Sequence, residues 1–143
     1  MRIVRTVLLI DDDKDDLELL QEALKMADVS HQIIEACDGE EGLQKLDELM
    51  ANESLPCLIV LDVNMPKLDG RETFLAIKSN KRLCAIPIVI FSTSTSLLDR
   101  TFFERHNTAY FIKPVNFTGL ALTASRMISA CYHRTGKPDE PIN

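Results

Sequence analysis

Residues 57–70 read CLIVLDVNMPKLDG, and this stretch decides the fold. The run Cys57 to Leu61 is short, apolar and β-branched at Ile59 and Val60, the composition of a strand buried on both faces of a sheet. It stops at Asp62, and Leu68, Asp69 and Gly70 read as a tight turn opening a helix. A carboxylate at the carboxyl end of a buried parallel strand points into the crevice where open α/β sheets hold ligands. Taken alone, Asp62 reads as a turn or cap residue. Two other apolar runs add to it: Val7 to Ile10 ends in Asp11, Asp12 and Asp13, and Tyr110 to Ile112 ends in Lys113 and Pro114. Carboxylates and an ammonium in one crevice point to phosphoryl chemistry with a divalent cation.

Working outward, short apolar runs alternate with longer amphipathic stretches, the pattern of βαβ units and a parallel sheet covered on both faces. The expected strands are Thr6 to Ile10, Gln32 to Ala36, Cys57 to Leu61, Ile88 to Phe91 and Ala109 to Ile112. Leu17, Leu20, Leu24 and Ala27 give the first helix its apolar stripe, and Gly42, Leu43, Leu46, Leu49 and Met50 do so for the second. The third helix is expected over Arg71 to Ser79, with Phe74, Leu75 and Ile77 packing and Asn80 as its stop. The fourth is placed at Ser96 to His106, after a Thr93–Ser96 stretch that favours caps and turns. Asn116 is a cap for the last helix, which carries Leu120, Leu122, Met127 and Ile128 and ends near Tyr132. Residues 1–133 thus form one domain, and 134–143, RTGKPDEPIN, read as a flexible tail. Right-handed crossovers make five such units a doubly wound fold.

Bulk properties narrow the function. A chain of 143 residues fits one domain, since about 150 residues bury about 70% of the unfolded surface. The composition, 45% hydrophobic and 27% charged, is that of a soluble globular protein, and no apolar run approaches the roughly 20 residues of a membrane span. The basic, then apolar, start is followed by acid and reads as a first strand, not a signal peptide. A net charge of −6 with no run of Lys and Arg argues against nucleic acid. Cys37, Cys57, Cys84 and Cys131 are widely separated, so reduced thiols in a cytoplasmic protein are expected. His31, His106 and His133 lack zinc-site spacing and are expected to be solvated or helix-end residues without chemistry.

These features together resemble the receiver domain of two-component response regulators, over about residues 4 to 133. The resemblance rests on Asp11 and Asp12 after a hydrophobic strand, Asp62 in LDVNMPKLDG, Ser92 closing the fourth strand, Tyr110 in the fifth, and Lys113 followed by Pro114. It implies a flavodoxin-like (βα)5 sheet in the order 2-1-3-4-5. It implies that Asp62 accepts a phosphoryl group from a histidine kinase or histidine phosphotransfer protein. Asp11, Asp12, Asp62 and the carbonyl of Asn64 would hold Mg²⁺, which keeps several waters and takes few protein oxygens. Lys113 would pair with Asp62 and then with a phosphoryl oxygen, with the Lys113–Pro114 bond cis. Ser92 would bond the phosphoryl group and Tyr110 would rotate inward, switching the surface of the fourth helix, fifth strand and fifth helix. Asn64 and Ser94 stand where the family varies its dephosphorylation rate. Asp13, Asp15 and Asp16, beyond the family pattern, suit a helix start.

The resemblance implies a stand-alone phospho-switch that is not a multiple-turnover enzyme on an external substrate. With a short tail after the last helix, its expected output is contact with a downstream protein, homodimer formation, or service as a phosphate relay or sink. A phosphate-independent receiver-like binding module is the alternative. A phosphatase with an aspartyl-phosphate intermediate lacks its second aspartate. DDDKDD at residues 11–16 begins like an EF-hand, but Asp16 stands where the loop needs Gly, and helix follows. No Walker loop or G-x-G-x-x-G supports nucleotide binding.

Overall fold

The computed structural model describes residues 5–28 and 30–133. The tail expected over 134–143 lies outside the described residues. Ten elements alternate: β1 (Arg5–Ile10), α1 (Lys14–Ala27), β2 (His31–Ala36), α2 (Gly39–Ala51), β3 (Leu58–Leu61), α3 (Gly70–Ser79), β4 (Ile88–Ser92), α4 (Leu97–Arg105), β5 (Ala109–Ile112) and α5 (Phe117–His133). All strand pairs are parallel, in the order β2-β1-β3-β4-β5.

Alternation along the strands explains the two cores. Val7, Leu9, Leu58 and Val60 pack with Leu17, Leu20 and Leu24 of α1 and Leu120, Met127 and Ile128 of α5. Leu8, Ile10, Ile59 and Leu61 turn to the other face, against Leu46 of α2, Phe74 and Ile77 of α3 and Phe103 of α4. A strand with period two can be apolar throughout only when both its faces are covered. The aromatic centre of the second core is Phe74, whose ring meets Phe103 edge-on at 5.2 Å.

Helix starts follow local chemistry. Asp13 caps α1 by accepting from the N–H groups of Asp15 and Asp16. Asp69 and Glu72 form a reciprocal capping box on α3, which realises the turn read at residues 68–70. Gly70 is required there by close approach: its N–H donates to Val63 O at 2.8 Å, and a Cβ would collide with the Asp62 carbonyl oxygen. Ser96 caps α4, and Asn116 Oδ1 accepts from Gly119 N–H at the start of α5.

Several expectations are corrected. Ala27, Leu75 and Leu122 are exposed, because each sits at the margin of its helix's apolar stripe and not against the sheet. His31 is buried, only 6% exposed, at the start of β2. The sheet carries it beneath α1 and α5, an environment its sequence neighbours do not reveal. His106 is the C-cap of α4 and His133 the last residue of α5, both helix-end positions. Cys57 and Cys131, expected as separate thiols, are joined in a disulfide with Cα atoms 4.8 Å apart. A sequence separation of 74 residues concealed that proximity. Cys37 and Cys84 are free and exposed. The Lys113–Pro114 bond is trans, there being no cis peptide among the described residues. Trans is the intrinsically favoured isomer of an X–Pro bond by about 0.5–1 kcal/mol, so no contact is needed to impose it.

Candidate functional site

The site is built from strand ends. Ile10 of β1 is in register with Leu61 of β3, so the two following residues, Asp11 and Asp62, leave the sheet side by side. Asp62 N–H donates to Ile10 O at 3.0 Å and Asp11 N–H to Ala36 O at 3.1 Å, which fixes both backbones. β4 and β5 lie on the far side of β3, and Lys113 follows β5 with its N–H donating to Ser92 O at 2.9 Å. That bond aims a residue distant in sequence back toward the carboxylates.

Carboxylate oxygens of Asp11, Asp12 and Asp62 lie within 4.8 Å of one another. Asp11 and Asp62 are buried and Asp12 is exposed, so the cluster opens to solvent on one side. Val63 N–H donates to Asp62 Oδ1 at 2.8 Å and Asp13 N–H to Asp11 Oδ1 at 3.0 Å. Lys113 Nζ reaches Asp11 Oδ2 at 2.7 Å, Asp16 Oδ2 at 2.8 Å and Asp62 Oδ2 at 3.6 Å. The ammonium is therefore bonded to Asp11 and Asp16 and stands only near Asp62.

The electrostatics follow from this crowding. Burial, then the charge of Asp62, pushes the Asp11 carboxyl up to about 7, against the lowering effect of its bonds from Lys113 and Asp13. Burial alone would lower Lys113; its bonds to Asp11 and Asp16 and the charge of Asp62 more than offset this and hold it above the ordinary lysine range. Repelling carboxylates with one side open to water are a donor set suited to a hard divalent cation, which relieves the repulsion and coordinates through oxygen.

The remaining predicted residues are placed as follows. Asn64 is exposed in the β3–α3 loop. Ser92 is fully buried at the end of β4, its Oγ accepting from Ser94 N–H at 3.1 Å. Tyr110, half-buried in β5, donates its hydroxyl to Ser94 O at 2.9 Å, with Arg100 over its ring. Ser92 and Tyr110 thus both bond the Ser94 backbone.

Sequence reasoning misses the site roles of Asp16, Arg71 and Asp99, and reads Ser94 only as a position where the family varies. From sequence Asp16 reads only as part of a helix start; the cap by Asp13 turns the first turn of α1 so that Asp16 faces Lys113, and the run of acids beside a strand end is the signal for it. Arg71 of α3 donates to Asp99 Oδ1 at 2.7 Å, and Ser94 Oγ donates to Asp99 Oδ2 at 2.7 Å. Arg71, Asp99 and Ser94 therefore connect α3 to α4 and to the loop that Tyr110 touches. Nothing in their local sequence marks that connection.

The family model of the response regulator receiver domain matches residues 7–124. The chain belongs to this family. The response regulator Rcp1 of Synechocystis is 37% identical over 119 residues, covering 81% of this chain and 81% of Rcp1. Among solved structures, the phosphorylated cyanobacterial phytochrome response regulator RcpA superposes with a TM-score of 0.83 at 33% identity, covering 96% of this chain and all of that one. The Mn²⁺-bound form of Rcp1 gives 0.77 at 34% identity, covering 87% of this chain and 92% of that chain. The receiver is thus a two-component signalling domain. Among its described residues no helix is long and apolar enough to cross a membrane.

Proposed function

We propose that this receiver is a phospho-switch in which Asp62 takes a phosphoryl group from a histidine kinase or a histidine phosphotransfer protein. The observation that carries the reading is the convergence of three carboxylates within 4.8 Å with Lys113 Nζ 3.6 Å from Asp62. In the transfer the donor's N–P bond breaks as a bond forms to an Asp62 carboxylate oxygen. Val63 N–H orients the carboxylate through its other oxygen. Lys113 leaves its bonds with Asp11 and Asp16 to neutralise the arriving phosphoryl oxygens, as a compact point charge can. Ser92 gives up Ser94 N–H to donate its hydroxyl to the group.

Asp11, Asp12, Asp62 and the Asn64 carbonyl would hold Mg²⁺, which supplies charge neutralisation for the phosphoryl oxygens. The Mn²⁺-bound Rcp1 structure supports a divalent ion in this fold, and the phosphorylated RcpA structure supports the modification. Movement of Ser92 disturbs Ser94, whose carbonyl holds Tyr110 and whose hydroxyl holds Asp99. The surface of α4, β5 and α5 would change accordingly. Leu97, Leu98, Val115 and Leu122, each more than half exposed, offer that surface to a downstream protein or to a second copy in a homodimer. The cytoplasm, where kinases of this class present phosphohistidine, is the compartment assigned.

Acetyl phosphate with Mg²⁺, followed by intact mass, tests the proposal. One added phosphoryl group is expected, absent with EDTA and absent in Asp62→Ala. No adduct on the wild type with several donors would overturn it in favour of a phosphate-independent binding module.

A further inference from the structure

We propose that His31, Cys57 and Cys131 form a binding site for one borderline divalent cation of the zinc class, opened when the Cys57–Cys131 disulfide is reduced. The site lies at the amino end of the sheet, opposite the carboxylates, and is independent of the phosphoryl reading. Three elements converge there. His31 opens β2, Cys57 immediately precedes β3 with its N–H bonded to Thr6 O at 2.8 Å, and Cys131 lies in the last turn of α5. The Cys131 carbonyl accepts from Arg5 Nη1 at 3.0 Å, so α5 is pinned over the sheet by a contact that does not require the disulfide.

One imidazole nitrogen and the two sulfurs lie within 4.8 Å of one another. Two thiolates and an imidazole are the donors that a zinc-class cation prefers, and three protein ligands leave a fourth position for water. Asp28 Oδ2 stands 3.7 Å from His31 Nδ1. A metal-bound histidine is oriented by a carboxylate that accepts its other ring N–H, and Asp28 would take that part once the gap closes to hydrogen-bond length. His31 and Cys131 are buried, whereas Cys57 is half-buried and lines an open groove of about 670 Å³ with Arg5, Thr6, Gln32 and Pro56. That groove is the route for a reductant and for the cation.

The chemistry balances through a dithiol reductant, the reagent class that keeps cytosolic thiols reduced. Its thiolate attacks one sulfur of the disulfide. The mixed disulfide is resolved by its second thiol, so that Cys57 and Cys131 each gain a proton and the reductant becomes a disulfide. Cation binding then displaces the two thiol protons. Oxidation and metal binding are mutually exclusive at this pair.

The test uses the full chain carrying Cys37→Ser and Cys84→Ser, which removes the exposed thiols. It is reduced with a dithiol, freed of it anaerobically, and titrated with Co²⁺ in excess Mg²⁺. The expected result is one Co²⁺ per chain with a thiolate-to-cobalt charge-transfer band that Zn²⁺ abolishes. The band should be absent in the oxidised protein and in Cys57→Ser/Cys131→Ser, and His31→Gln should weaken binding by about tenfold or more. No band in the reduced protein, or a band that survives in the double serine variant, would overturn the proposal. Should a variant fail to fold, comparison of the oxidised and reduced parent decides alone.

Discussion

Asp11→Asn should stabilise the metal-free protein at alkaline pH while weakening the Mg²⁺ site proposed for Asp11, Asp12 and Asp62. In the folded chain the Asp11 carboxyl is raised from 3.8 to about 7, so between those values the fold holds a proton that the unfolded chain has lost. The stability associated with protonated Asp11 is present at the acid end and disappears as pH rises to about 7. Over that interval, at about 1.4 kcal/mol per pH unit, the cost of keeping Asp11 ionised amounts to about 4 kcal/mol. Relaxation and water entry at a site open on one side reduce the effect, and about 2 kcal/mol is expected near pH 8. Asparagine keeps an Oδ1 for the Asp13 N–H; its Nδ2 is a donor and cannot accept from Lys113 as Oδ2 does, but Lys113 keeps Asp16 and Asp62 as partners. Urea unfolding in EDTA from about pH 5 to about pH 8 should show the variant gaining on the wild type as pH rises. With Mg²⁺ the order should reverse, since a ligand at a hundredfold excess over its Kd adds about 2.7 kcal/mol to the form that binds it. A variant no more stable than wild type at pH 8 in EDTA, or a gap that ignores pH, would refute the electrostatic account.

Gly70→Ala places a Cβ against the Asp62 carbonyl and 2.6 Å from Val63 Cα. Backbone atoms cannot swing aside, so a loss of about 1–3 kcal/mol and slower acetyl-phosphate labelling are expected; wild-type values for both would contradict this packing. Asp99→Ala removes the acceptor shared by Arg71 and Ser94. Hydrogen exchange should then quicken in α4 more than in α1, and uniform protection would show that Asp99 does not hold α4. Phe74→Ala empties the fully buried centre of the second core. A loss of about 3–5 kcal/mol in denaturant unfolding is the expected cost, and a change under about 1 kcal/mol would mean that the cavity collapses freely.

The central strands were legible because burial on both faces leaves uninterrupted apolar runs such as Leu58 to Leu61, which local composition reports directly. The helices were legible through caps such as Asp69 and Asn116 and through stripes such as Leu17, Leu20 and Leu24. Stripe margins were less so: Leu75 and Leu122 are apolar yet exposed, since whether a marginal position is covered depends on the neighbouring element. In the site, Asp11, Asp62 and Lys113 could be named because each directly follows an apolar run. Asp16, Arg71 and Asp99 could not, and Ser94 was legible only as a position of family variation, because their partners belong to other elements.

By itself, then, the sequence determined the α/β class, the order of elements and the strand ends where chemistry would gather, since these follow from periodicity and composition within short windows. The strand order was proposed through family likeness and realised by the pairing of β1 with both β2 and β3. Only the tertiary structure decided that Lys113 bonds Asp11 and Asp16 more closely than Asp62, that its peptide to Pro114 is trans, and that His31, Cys57 and Cys131 meet. Those outcomes depend on distances between residues far apart along the chain, and such distances are set by how whole elements pack.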